Sequence, residues 1–388
     1  MSSLVGATTK PISHLRTFLL HSAAFGLPIT TLWFWVTGPH RSSAALLWLI
    51  PVVVMGVLDR FAPTQRSHPR EDMPHWPYVI QLYALYVLQM ANYALLVLTA
   101  SQLRVDTPAH IQQTLAMFVA TIALSATNAA YSGIVIAHEL IHCRSRFAFT
   151  LGRLMLVGVL YEHYSTEHVR GHHPRVGTAD DPATALYGET SRQYFFRTLP
   201  AQFKSAWALE KVRLNHHRTP LSGLGWLRHR VLQGVIMQAS LLVAIGYCFG
   251  TIALGFFFMH ALICVRMLEN SNYVSHWGLS RVGKVAHTVE SWDNDNAFTL
   301  YTLVGMSRHA DHHAQAARPY QKLRYHEETA KMPFGYYNTM LLALFWNRKY
   351  QTLASAELQR KKLGPFRVRE SADTITTLPI AERRDAVA

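Results

Sequence analysis

Residues 133–143 read GIVIAHELIHC, and this stretch joins an apolar segment directly to a pair of histidines. His138 and His142 are four residues apart, so a helix places both imidazoles on one face. The residues before them, 111–137, form an apolar run long enough for a helix that crosses a bilayer core of about 30 Å. Because neutral imidazole is a common metal ligand, we expect a metal site at the end of a membrane-spanning helix.

Composition supports a membrane protein. The chain is 50% hydrophobic and only 15% charged, whereas soluble domains average about 25% charged residues. The sequence YCFGTIALG at 247–255 offers a tight turn between two apolar runs. We therefore predict an all-α integral membrane protein with six transmembrane helices, at 17–37, 44–60, 77–99, 111–137, 231–248 and 251–268.

The distribution of basic residues predicts the orientation. The net charge is +14. With both termini inside, the outer connections 38–43, 100–110 and 249–250 contain only Arg41 and Arg104 as Lys or Arg. Since Lys and Arg concentrate in cytoplasmic loops, we expect a multi-pass protein of the inner (cytoplasmic) membrane, surrounded by lipid, with a histidine-rich cap in the cytosol. The concentration of Lys and Arg in cytoplasmic segments explains the net positive charge, so we expect no nucleic-acid partner.

The parts are expected to form one functional domain. Residues 1–143 hold the first four transmembrane helices, and 144–230 form a cytosolic segment with a second histidine motif. Residues 231–269 hold the last two helices. Residues 270–388 complete the cytosolic cap with two more motifs and a polar tail, from about 365, that we expect to be loosely ordered.

Nine of the 22 histidines fall in four clusters near predicted membrane-proximal helix ends. The clusters occur in AHELIHC, TEHVRGHHP, NYVSHWG and SRHADHH. A catalytic zinc uses three protein ligands and keeps one position open, so nine imidazoles suit two metal ions with four or five ligands each. Imidazole suits Fe, Cu, Zn and Ni, and ligand type alone leaves the metal open. The candidate ligands are His138, His142, His168, His172, His173, His276, His309, His312 and His313.

Two other functions remain open from these residues. HELIH also matches the HExxH signature of zinc proteases, although the other seven histidines argue against a peptidase. A histidine-lined metal transporter would need ligands near the bilayer midplane, whereas these clusters lie at one predicted face.

Several further residues are candidates for supporting roles. Glu139, Glu167 and Asp311 lie within the motifs and are expected to orient the ligands or to assist catalysis. The alternative for these acids is a salt bridge to Arg170 or Arg308.

Two histidines outside the clusters have other expected roles. His163 could support the ligands from behind, and a packing role is favoured for His260. Four aromatic residues of the first three helices could line a substrate tunnel, although an interface-belt or packing role is favoured for most of them; they are Trp33, Trp35, Trp48 and Tyr83.

The motifs HELIH, EHVRGHH, NYVSHWG and RHADHHA resemble those of the membrane alkane 1-monooxygenase family, which includes alkane omega-hydroxylases and xylene monooxygenase hydroxylase subunits. The resemblance covers roughly 77–325. It implies a non-haem diiron centre of two Fe ions held by the histidines, with O₂ as co-substrate. It also implies hydroxylation of a terminal or benzylic C–H bond in an alkane or alkylarene, with electrons from a rubredoxin or ferredoxin-type donor and its reductase. A membrane desaturase or fatty-acid decarboxylase is the alternative within redox chemistry.

One motif departs from the family pattern. Ser275 and Trp277 stand where the family usually has Glu and Tyr around the third-motif histidine. Groups behind a ligand tune metal sites, so we include Ser275 among the catalytic candidates.

Electron supply is expected to come from a separate protein. The chain has three cysteines and no CxxC pair, so it lacks the motif of a fused iron–sulfur module. The basic stretch 204–218 suggests Lys204, Lys211 and Arg213 as docking residues for an acidic donor.

Overall fold

The computed structural model describes residues 13–216, 222–281 and 283–367, and the regular structure of these residues is helical. Within these ranges the extended chain forms two isolated bridges and no strand. Two parts of the predictions lie outside the described residues: positions 217 and 218 of the basic stretch 204–218, and all but the first few residues of the tail predicted to be loosely ordered. The all-α prediction is confirmed for the described part of the chain.

Five of the described helices are long and apolar enough to cross a membrane, which makes this a multi-pass membrane protein. The first four agree with the predicted segments within a few residues, and the fourth continues through the first histidine motif. We call these four spans 1 to 4 and the fifth the hairpin helix. Their bounds are His14–Val36, Ser42–Phe61, Trp76–Ala100, Pro108–His142 and Arg230–His276.

The hairpin helix is broken at Gly250, where φ is 85° and ψ is 173°. Gln238 and Leu262 line one cavity, yet in a continuous helix rising 1.5 Å per residue they would lie about 36 Å apart. The two halves therefore fold back on each other. The break lies within the predicted turn, between the fifth and sixth predicted segments.

Burial differs sharply among the spans. In the most apolar part of span 4, 78% of the residues are buried, against 17% in span 2. Span 2 turns large apolar side chains outward, including Val53 at 64% and Ile50 at 55% exposure. An exposed apolar surface of this kind belongs against lipid. Span 4 is therefore central, and span 2 is peripheral.

Span 4 contains two π-helical segments, Thr121–Ser125 and Ala129–Gly133, which we call the wide turns. In each, a backbone N–H donates to the carbonyl five residues earlier. Polar side chains beside them are paired: Asn128 donates to Gln89 of span 3 at 2.9 Å. Ser125 lies 3.3 Å from His260 Nδ1, in keeping with a packing role for that histidine. Such segments are rare and often mark functional sites.

The cap packs on one end of the spans around buried aromatic residues. The Trp292 indole donates to the Trp277 carbonyl at 2.9 Å, and the rings of Trp277 and Tyr350 meet edge-on. Short 3₁₀ turns join its helices. The helices are Arg146–Val157, Tyr164–Glu167, His173–Arg175, Ser191–His216, Ala297–Thr302, His309–Ala314, Tyr336–Phe345 and Asn347–Lys361.

A buried carboxylate ties span 2 to the cap. Asp59 accepts hydrogen bonds from the backbone N–H groups of Tyr337 and Asn338, at 3.3 and 2.8 Å. These groups lie at the start of a cap helix, where free N–H groups favour an anion. These hydrogen bonds fix the position of span 2 relative to the cap.

Candidate metal centre

All nine predicted histidines meet beneath the cap in two adjacent groups, each made of histidines alone. Within each group the candidate ligand nitrogens lie within 4.8 Å of one another. The first group contains His138, His142, His168, His173 and His312, and the second contains His172, His276, His309 and His313.

Four parts of the chain supply these side chains. Span 4 ends at His142, the hairpin helix ends at His276, and the cap helix His309–Ala314 carries three histidines. The remaining three come from a π-helical turn, His168–His172, and the residue that follows it. This turn lets His168 join the first group while His172 joins the second, although their rings remain 5.2 Å apart.

The spacing of the nitrogens fits a metal ion in each group. In the second group, the Nε2 atom of His309 lies 3.0 Å from that of His313 and 3.1 Å from that of His276. In the first, the Nε2 atom of His173 lies 3.1 Å from that of His168 and 3.2 Å from that of His312. Nitrogens bound at about 2.1 Å around one ion are separated by roughly 3 Å.

Burial favours the neutral form of several of these imidazoles. Burial, reinforced by neighbouring imidazoles, holds the pKa of His168, His173 and His312 well below its usual range, and burial lowers the pKa of His309 to about 3. Neutral rings keep the lone pair that a metal needs. Both ring nitrogens of buried His138 lack a hydrogen-bond partner among the described residues. Such orphan groups are costly unless a ligand satisfies them.

Asp181 is a functional candidate that the sequence analysis did not single out. Its carboxylate lies 2.8 Å from His172 Nδ1 and accepts the Thr184 hydroxyl at 2.6 Å. A carboxylate behind a ligating imidazole fixes the tautomer and the ring orientation. The sequence feature that could have identified Asp181 is its position in DDPATALYGE, just after the second histidine motif.

The three predicted acids lie around the centre, and no hydrogen bond joins them to the nine imidazoles among the described residues. Glu139 accepts the backbone N–H of Tyr320 at 3.2 Å. Glu167 pairs with Arg175 at 2.7 Å, and Asp311 with Arg318 at 2.6 Å. The partners suggested from the sequence were wrong: Arg170 pairs with Glu210, and the Arg308 guanidinium donates to backbone carbonyls.

Ser275 is buried beside His276, and its hydroxyl lies 2.9 Å from the Tyr336 hydroxyl. Tyr336 OH also lies 2.6 Å from Ser271 Oγ. The Trp277 indole donates to the Glu189 carbonyl at 3.1 Å. Ser275 and Trp277 are thus buried on either side of His276 in the chain and are held by hydrogen bonds to Tyr336 and Glu189.

An apolar cavity, here called the inner cavity, reaches the two histidine groups. His138 of the first group and His309 of the second both line it. Its other walls are largely apolar side chains of span 4 and the hairpin helix, such as Ile134 and Leu268, with Tyr336 at one side. An apolar pocket that ends on a few polar groups is the usual form of a small-molecule site.

The residues proposed for a tunnel lie elsewhere. Trp33 is 62% exposed, and Trp35 is buried against Phe34. Neither these residues nor Trp48 and Tyr83 line the inner cavity, so the interface-belt or packing interpretation fits them better. His163 packs against Tyr161 and Phe203 rather than beside a candidate ligand.

Comparison with known proteins identifies the family. Residues 113–341, more than half of the chain, match the family model described as "Fatty acid desaturase". The chain is 38% identical to "Alkane 1-monooxygenase 1" of Pseudomonas aeruginosa, over 55% of this chain and 56% of that protein. It is 34% identical to "Alkane 1-monooxygenase" of Acinetobacter baylyi, over 58% of this chain and 57% of that protein.

These two alignments span little more than half of each relative. A third is longer: "Alkane 1-monooxygenase 2" of Pseudomonas aeruginosa is 30% identical over 83% of this chain and 86% of that protein. The chain therefore belongs to the alkane 1-monooxygenase family, and more broadly to the fatty acid desaturase family.

Proposed function

We propose that the protein is a membrane-bound hydroxylase that inserts one oxygen atom of O₂ into a terminal or benzylic C–H bond of an alkane or alkylarene. The observation that carries this proposal is the inner cavity. Its lining is largely apolar and includes one histidine from each all-histidine group, His138 and His309. A hydrophobic molecule in this cavity presents one end to the metal ligands.

Two Fe ions are proposed as the resident cofactor, with five histidines for one ion and four for the other. When bound, the ions would supply the redox chemistry with O₂ that amino-acid side chains lack. The chain itself contributes neutral ligands, a carboxylate behind His172, and walls that exclude water from the reacting end of the substrate.

The predicted acids fit positioning roles in this proposal. Asp311 lies in the same helical turn as three of the ligands and accepts hydrogen bonds from Arg318 and from the backbone of Arg324. Glu139 and Glu167 likewise join the segments that carry ligands to neighbouring parts of the cap. Ser275 lies behind the inner cavity, with its hydroxyl 2.9 Å from that of Tyr336, a residue of the cavity wall.

Six membrane crossings are proposed, because the hairpin helix folds back at Gly250. Residues 144–230 and 270–388 then form the cap on the same side as both termini. The excess of Lys and Arg on that side supports a cytosolic location for the cap, in a bacterial-type inner membrane.

A rubredoxin or ferredoxin-type donor, with its reductase, is proposed to supply electrons from the cytosol. His142 and His173 are the two half-buried members of the groups, and the other seven are buried. Arg144 and Arg146 are exposed and follow His142 directly. An acidic donor is therefore proposed to bind at Arg144 and Arg146, next in the chain to a half-buried candidate ligand.

A fatty-acid desaturase or decarboxylase is the second candidate, and the description of the matching family model favours it over a transporter or a peptidase. A metal transporter is disfavoured because the histidines lie at the ends of the spans beneath the cap. A zinc peptidase is disfavoured because His138 and His142 share their group with three more histidines.

Metal analysis and product analysis test the proposal together. Protein purified without oxygen is expected to carry about two irons per chain, given nine imidazoles in two groups. With a reduced donor and O₂, a panel of alkanes, alkylarenes and fatty acids should yield alcohols. Replacing His312 or His313 by Ala should lower the iron content and abolish turnover while the protein still inserts. Alkene products, or a single zinc with peptidase activity, would contradict the proposal.

A further inference from the structure

A second apolar cavity adjoins the inner cavity, and Tyr131 lines both. This lipid-side cavity lies between spans 1 and 2, with Leu27 and Val54 among its walls. Val54 and Leu58 at its edge are 47% and 48% exposed, on a surface that belongs against lipid. An apolar solute dissolved in the bilayer therefore reaches this cavity without crossing water.

Tyr131 stands at the boundary between the two cavities. It is 3% exposed and belongs to the second wide turn of span 4. Its hydroxyl lies 3.1 Å from Thr302 Oγ1. Because the Thr302 hydroxyl donates to the Phe298 carbonyl at 2.7 Å, the Tyr131 hydroxyl is the donor in this pair.

The neighbours of Tyr131 hold the ring in this position. Thr302 and Phe298 belong to a cap helix and both line the lipid-side cavity. The Tyr337 ring meets Tyr131 edge-on at 6.1 Å between centroids. Rotation of the Tyr131 side chain would remove the ring from the boundary and would break the bond to Thr302. Tyr131 therefore has the position that a gate needs, and its hydroxyl is held by a breakable hydrogen bond to Thr302.

We propose that Tyr131 is a specificity-determining gate for hydrophobic substrates that enter from the membrane between spans 1 and 2. With the bond to Thr302 formed, the inner cavity is closed at its outer end and accepts only chains that fit within it. A longer chain extends past Tyr131 into the lipid-side cavity and requires the ring to stay displaced. This inference rests on the proposed function for the nature of the ligand.

Photo-crosslinking with alkyl probes tests the gate without turnover. Two probes carry a diazirine at one end, on chains of about eight and about sixteen carbons, a difference of roughly 10 Å in reach. The full-length protein in lipid nanodiscs is irradiated with each probe, and mass spectrometry maps the adducts. The measured quantity is the long-to-short ratio of adducts on the inner-cavity peptides around Ile134 and Leu268.

Removing the contact or the ring should raise this ratio. Thr302→Val deletes the bond and leaves Tyr131 in place, so an increase of about fivefold is expected, as for loss of one hydrogen bond. Tyr131→Leu removes the ring and should raise the ratio further. Tyr83→Leu is the matched control, because it makes the same change in span 3 at a residue that lines neither cavity.

The outcome separates this inference from the proposed function. The same ratio in wild type, Thr302→Val and Tyr131→Leu would overturn the gate. A ratio that rises as expected, in a protein that forms no hydroxylated product with any substrate, would support a gated apolar channel and refute the proposed reaction. If Tyr131→Leu fails to fold, Thr302→Val alone decides the question.

Discussion

Among the nine histidines, His172 is the one whose Nδ1 lies beside a side-chain carboxylate. Asp181 is buried, and two other groups hold it: the Thr184 hydroxyl and the backbone N–H of Ala183. With Nδ1–H donated to this carboxylate, Nε2 of His172 is the nitrogen left for a metal. The orientation of one ligand is thus set before any metal binds.

Replacing Asp181 by Asn should weaken metal retention by about 10- to 100-fold, the usual effect of losing a carboxylate behind a ligand. The measurement is iron content after dialysis against a graded series of chelator concentrations. Asp180→Asn is the matched control, because Asp180 is adjacent in sequence and exposed. Equal retention in the two variants would show that Asp181 has no part in holding the centre.

Two substitutions of Ser275 are expected to give different results. Ser275→Ala should change activity little, because Tyr336 OH remains 2.6 Å from Ser271 Oγ. Ser275→Glu places a buried carboxylate beside His276, so activity or substrate preference should shift by about 10- to 100-fold. The test compares turnover on alkanes and alkylarenes in variants whose helical content and iron content match wild type. A Glu variant with unchanged rates and preferences would make the departure from the family motif functionally neutral.

The sequence predicted which histidines lie together better than it predicted their surroundings. The histidines could be found because their i, i+3 and i+4 spacings, and their clustering at predicted helix ends, can be read from the sequence alone. Asp181 could not be found this way, since its contact with His172 depends on the turn at Gly177, where φ is +77°. The division of His309 and His312 between two groups was equally invisible, because short helices allow both arrangements.

Among the helices, the break at Gly250 is a backbone effect that can be tested in isolation. A Cβ there would meet nothing within 4 Å, but φ of 85° with ψ of 173° is a conformation used almost only by glycine. Gly250→Ala should therefore destabilise the protein by about 1–3 kcal/mol. The readout is the midpoint of thermal unfolding in one detergent.

Gly255→Ala is the control for this prediction. Gly255 lies in the same helix and has helical backbone angles, and a Cβ added there would likewise meet nothing within 4 Å. Alanine there should be neutral or stabilise by about 0.5–1 kcal/mol. If both variants unfold at the same temperature, the hairpin does not depend on glycine at its turn.

Hydrophobicity and charge were enough to locate the spans, because lipid imposes the same length and polarity on every crossing helix. The wide turns were not foreseen. Their residues, such as AAYSG at 129–133, read as ordinary helix, and the extra residue per turn has no compositional mark. The position of Tyr131 between two cavities follows from this feature and so could not be predicted.

For the molecule as a whole, the cap determines where an electron donor can act. The residues first suggested for docking are only partly suitable. Lys204 and Lys211 are exposed, whereas Arg213 is held by Glu210 and by the Arg228 carbonyl. Arg144 and Arg146 are exposed and lie within four residues of half-buried His142, so they are the better candidates.

Donor-supported turnover should fall steeply as ionic strength rises, because exposed charges are screened over about 8 Å at physiological salt and charge steers such encounters. Arg144→Glu should raise the apparent KM for an acidic donor more than Lys211→Glu does, with iron content unchanged in both. The rates are measured at limiting donor from low to high salt. A donor KM that does not depend on salt would rule out steering by this face.

The wide turns of span 4 also bear on how the chain tolerates insertions and deletions. Each holds one residue more than an α-helical turn, so deleting Ala123 from the first can restore α-helix and leave His138 facing its group. Deleting Ala116, in the α-helical part of the same span, instead rotates one end of the helix by about 100° relative to the other. We therefore expect the first deletion to yield an inserted, iron-containing protein and the second to fail. Span 4 would then be a place where evolution can change chain length by one residue without losing the centre.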